Sequence, residues 1–83
     1  MADLGVVEIK QESDASVLAT GQGSEETGGI HVVLNDVNAH LQQGTPYMIT
    51  GIDGRGWRNL TFVGFNPANP NTATFDATNA VTI

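Results

Sequence analysis

Asp53, Arg55, Trp57 and Arg58 fall within one short run, DGRGWR, and are the side chains best suited to chemistry in this chain. A guanidinium beside an indole can stack on the ring and grip carboxylates through its planar fork, which suits a binding surface. The same residues also suit a core Trp57 flanked by two solubilising arginines. If the run is an interface, Trp57 and Arg58 are its first anchors, because Trp, Tyr and Arg dominate binding hot spots, and Arg55 and Tyr47 join them as partner-binding candidates. Tyr47, with Trp57, Asp53 and Arg55, could instead line one end of a small ligand-binding module, for instance for a carbohydrate.

Other sets fail on spacing. His31, Asp36 and His40 could in principle form a metal or acid-base group, but nothing in a strand followed by a turn forces them together, and no HExxH, paired Cys or calcium-loop pattern accompanies them. Neither histidine has the Ser or Cys elbow that a nucleophilic triad needs. Gly21-Gln22-Gly23 lies in acidic surroundings and opens no helix after a strand, so a phosphate there would meet like charge. The expectation is a protein that is not an enzyme, with no catalytic residue, no metal and no cofactor.

Those residues need a scaffold, and the chain is lopsided in what it offers. Asp3, Glu8, Glu12, Asp14, Glu25 and Glu26 crowd the first 29 residues against Lys10 alone, while most large apolar residues come later. Residues 1–29 therefore read as a flexible acidic N-terminal arm, and 30–83 as a small β body. The arm is not uniformly polar. Val6, Val7, Ile9, Val17 and Leu18 could add as a strand or hook to another subunit's sheet edge, a role that a merely solubilising tail would not require.

Within the arm, LGVVEIK reads as a short strand and GQGSEETGG as the loosest stretch. IHVVL is a second strand, stopped by Asn35 and Asp36, which could cap a short helix through about Gln43, ended by Gly44, or lead into an irregular loop. Tyr47 to Ile52 follows as a strand, Asp53-Gly54 as the strongest hairpin signal, and WRNLTFVGF as the return. Trp57, Val63 and Phe65 fall on one parity of that strand, Leu60 and Phe62 on the other, so both faces read as apolar and covered. Asn66 to Asn71 reads as a loop because two prolines interrupt it, and two short Thr-rich strands, Thr72 to Phe75 and Ala80 to Ile83, end the chain. The expected fold is all-β: a small single-domain sandwich or barrel-like body of five or six short strands with an extended N-terminal arm.

Charge and size narrow the partners. Three basic residues and a net charge of -6 disfavour nucleic acid and anionic membranes, since phosphate affinity comes from Lys and Arg. MADLGVVEIK lacks a basic segment followed by a long apolar run, so cytosolic synthesis is expected. A body confined to residues 30–83, without a cysteine to staple it, is short for a self-sufficient core, which favours a homo-oligomer or docking on a larger surface.

The C-terminal ATFDATNAVTI, a polar Gly/Ser/Thr-bearing N-terminal stretch and a cysteine-free β body resemble the small decoration, or cement, proteins of tailed-phage heads. In lambda-type members a Phe likewise precedes small residues and an aliphatic finish, although those members are longer. The resemblance implies a non-catalytic virion protein, assembled in the host cytoplasm, that stabilises a lattice of major capsid protein as a trimer or other oligomer, its N-terminal arm adding to a capsid strand.

Overall fold

The computed structural model describes residues 2–36, 40–52 and 54–83. Seven strands follow one another: β1 (Ala2–Gln11), β2 (Val17–Glu26), β3 (Gly29–Leu34), β4 (Pro46–Gly51), β5 (Gly56–Asn66), β6 (Asn69–Asp76) and β7 (Val81–Thr82). Two antiparallel meanders, β1-β2-β3 and β4-β5-β6, are joined edge to edge by β1 with β4 and β3 with β6, which closes a six-stranded barrel. The all-β, single-domain expectation holds, in its barrel form.

The division into arm and body does not. Residues 2–26 form two full strands of the barrel wall, and Val7 and Ile9 are 1% and 0% exposed in its core. The charges that looked like a solvated tail, Glu8 and Lys10 among them, alternate along β1 with those inward side chains. A core that draws on β1 and β2 also removes the premise that residues 30–83 must find missing stability elsewhere.

The run GQGSEE lies in β2, with Gly21 and Gly23 turned inward and buried. A six-stranded barrel has a narrow interior and cannot hold a side chain at every inward position. A Cβ on Gly23 would stand 3.0 Å from Val7 Cγ1, so the glycine leaves the room that Val7 fills.

WRNLTFVGF is apolar on both parities for a different reason from double coverage. Bulges opposite Met48 and at Val63 shift the register of β5, each adding one residue and flipping the parity. Leu60 and Phe62 are thus buried, Trp57 packs against the same core, and Phe65 meets Phe62 at 5.2 Å between ring centroids. One inward face has been re-aimed twice. Val63, displaced by its bulge, is exposed.

β5 serves two neighbours in succession, pairing with β4 along Gly56–Thr61 and with β6 along Thr61–Asn66. Beside its first half, β7 takes the place that β6 has vacated, with Trp57 opposite Thr82 and Arg58 opposite Val81. Asn66 to Asn71 is no open loop: Asn66 pairs with Asn69 across a two-residue turn, and Pro70 sits in the irregular stretch beyond, where no ladder donor is needed. The short helix expected after Asn35 falls partly on residues 37–39, outside the described residues; Gln43 and Gly44 make a turn closed by the Thr45 N–H on Gln42 O at 3.1 Å, with Gly44 at φ +85.

Candidate functional site

The crossover from β3 to β4 and the β1–β2 turn meet at one end of the barrel, where Gln11 pairs with Tyr47. Between them lies an open cleft of about 600 Å³ lined by Glu12, Leu18, His40, Gln42, Pro46 and Tyr47, among others. Its rim is tied down locally. Asp14 Oδ1 accepts bonds from Ser16 N and Oγ at 3.0 and 2.8 Å, which hold its carboxyl below the ordinary aspartate range. The Gln42 backbone N–H donates to Tyr47 Oη at 2.8 Å, and the ring stands edge-on to Phe75. Tyr47 is therefore a buried core residue with a satisfied hydroxyl rather than the partner-binding residue expected of it.

Trp57 belongs to the opposite end. Its register partner is the buried Ile49, and it shares a small hollow of about 40 Å³ with Asp3, Leu4, Val7, Gly51 and Arg55. The Arg55 guanidinium lies over the indole, 5.9 Å from the ring centroid, the stacking that the DGRGWR run led one to expect. Trp57 is half-buried and Arg58 exposed, so this end keeps a surface while its indole also caps the core. Among the described residues, Tyr47 lines one hollow and Arg55 and Trp57 another, so these side chains do not converge on one end; Asp53 lies outside the described residues.

Of the residues expected to hook a partner from the arm, Val7 and Ile9 are spent on the core, and Leu18 is half-buried against it. Val6 and Val17 remain exposed on the barrel wall. His31 stands on β3 between Ser24 and Thr74, away from the cleft that His40 lines. Among the described residues no group of three or more His, Cys, Asp or Glu could hold a metal.

Sequence reasoning missed the residues that most distinguish the Trp57 end. Ile52 is 85% exposed in the β4–β5 turn, and Val81 and Ile83 are 59% and 54% exposed on and just after β7. Their signal was present: an isoleucine beside a turn aspartate, and apolar residues alternating about Thr82.

A bend in β5 anchors β7 beside this surface. Asn59 has φ +62, a conformation that Asn tolerates and most residues do not. Its backbone N–H donates to Glu12 Oε2 at 3.1 Å and its side-chain amide to Asn79 O at 3.1 Å, linking the β1–β2 turn to the connection before β7. Asn59→Ala should destabilise the protein by about 1–2 kcal/mol more than Asn59→Gly. Both variants lose the amide bond to Asn79, so the difference between their urea midpoints reports backbone strain, and equal midpoints would refute it.

The β6–β7 connection is equally well held. Asp76 Oδ1 accepts from Thr78 Oγ1 at 2.6 Å and Thr78 N at 2.8 Å, and these bonds hold the Asp76 carboxyl below its ordinary range. Ala80 N donates to Ala77 O at 3.1 Å. Comparison with family models, curated proteins and solved structures returns no match to this chain.

Proposed function

We propose that this chain is a structural, non-catalytic assembly protein that docks on a larger protein lattice. The lattice implied by the resemblance of Ala73–Ile83 is a phage capsid, and the protein's place would then be the virion. The observation that carries the reading is that the barrel core is filled from within, yet Ile52, Val81 and Ile83 remain exposed at or beside one end. Large apolar side chains that the fold does not consume are what an interface uses. Ala73–Ile83, the stretch that carries the resemblance, also holds two of the three, Val81 and Ile83. Docking through an N-terminal arm is no longer the means, because β1 and β2 are built into the wall.

The test is co-sedimentation of the purified protein with empty shells assembled from the capsid protein encoded nearest its own gene. Saturable binding at a fixed ratio to shell subunits is expected. A folded protein that stays in the supernatant at every concentration would refute the lattice reading.

A further inference from the structure

We propose that the outer edge of β7 receives an extended, carboxylate-bearing segment of a partner protein, added as a strand beside Val81–Thr82. The proposal deepens the assembly reading above and rests on it. Its first support is the backbone. Ile83 N–H donates to Gly56 O at 3.0 Å, and Val81 and Thr82 stand opposite Arg58 and Trp57. Polar groups alternate sides along an antiparallel strand, so the N–H and C=O of Thr82 point away from β5. Among the described residues no strand pairs with that side.

The edge is also prebuilt. Asp76 closes the turn on Thr78, Asn59 holds Asn79 O, and Ala77 N donates to Gly28 O at 3.1 Å. A strand fixed in this way has little ordering left to undergo when a partner arrives. Main-chain bonds would supply register, and the exposed Val81 and Ile83 side chains the apolar contact.

Charge selects the occupant. The chain has a net charge of -6, yet the exposed Arg58 lies here, on the same face as its register partner Val81. An acidic segment finds its counter-charge at this edge. A second copy paired β7 to β7 would instead bring the arginines of two like-charged molecules together.

The experiment uses the full chain and fluorescent peptides of alternating Glu–Val and Lys–Val, read by anisotropy at low salt. Thr82→Pro removes the outward donor and no ladder bond, Thr82→Val keeps it, and Arg58→Glu reverses the charge. The Glu–Val peptide should bind, the Lys–Val peptide should not, and Thr82→Pro and Arg58→Glu should each weaken binding about tenfold, with Thr82→Val unchanged. Absent Glu–Val binding, binding indifferent to Arg58→Glu, or a dimer that Thr82→Pro dissolves would each overturn the proposal; Arg58→Glu serves alone if the proline variant does not fold. Shell binding that survives Thr82→Pro would overturn this edge and leave the assembly reading standing. Peptide binding without shell binding would support the edge and remove the lattice.

Discussion

Phe75→Ala is expected to cost about 4 kcal/mol, read as a shift of the urea midpoint at unchanged slope. Phe75 is fully buried on β6, with Tyr47 edge-on at 6.3 Å and Phe62 at 5.4 Å between ring centroids. Those three rings come from β4, β5 and β6, so the cluster ties together the whole second meander. Truncation removes the transfer free energy of the ring and leaves a void that closed barrel walls can fill only in part. A domain of this size has a total stability on the order of 5–10 kcal/mol, so the loss is about half or more of it. The melting temperature should fall by roughly 4–8 °C for each kcal/mol. Phe65→Ala, at the half-exposed end of the same aromatic row, should cost less than half as much. If the two substitutions cost the same, Phe75 is not the centre of the core.

The all-β class and the β3, β4 and β5 segments were legible because β-branched and aromatic residues cluster there between turn residues. What misled was parity. Trp57, Leu60, Phe62 and Phe65 are spaced three, two and three apart, which a strict period of two divides between two faces. Bulges opposite Met48 and at Val63 put them on one. Asn59 and Gly64, the left-handed positions at φ +62 and +147, were the available clue, since Asn and Gly are the residues a bulge favours.

The site was half legible. Arg58 and Trp57 were picked from residue type and do lie at the surface with the most exposed apolar side chains, whereas Val7, Ile9 and Tyr47 were picked by the same logic and are core. Type cannot separate the two outcomes. Burial in a barrel depends on closure, here the pairing of β1 with β4 across some forty residues of sequence. No local pattern encodes that pairing.

Gly21→Ala tests the other half of that lesson and should cost about 3 kcal/mol, near the upper end of overpacking losses. In a flexible acidic arm, the same change would be neutral or slightly stabilising, since alanine narrows the unfolded ensemble. In β2 the added Cβ would stand 2.3 Å from Val33 O and 2.9 Å from Val32 Cγ1. The first of these is backbone of the neighbouring strand, which cannot swing aside as a side-chain tip can. Relief requires β2 and β3 to part where Gly21 pairs with Leu34 and Gln22 with Val33. Gln22→Ala, one residue on and facing outward, is the control and should stay within about 0.5 kcal/mol of the parent. A large loss at Gly21 beside a small one at Gln22 is the alternation of a packed strand measured in free energy. Equal, near-zero losses at both would return GQGSEE to the linker its composition resembles and open the barrel between β1 and β3.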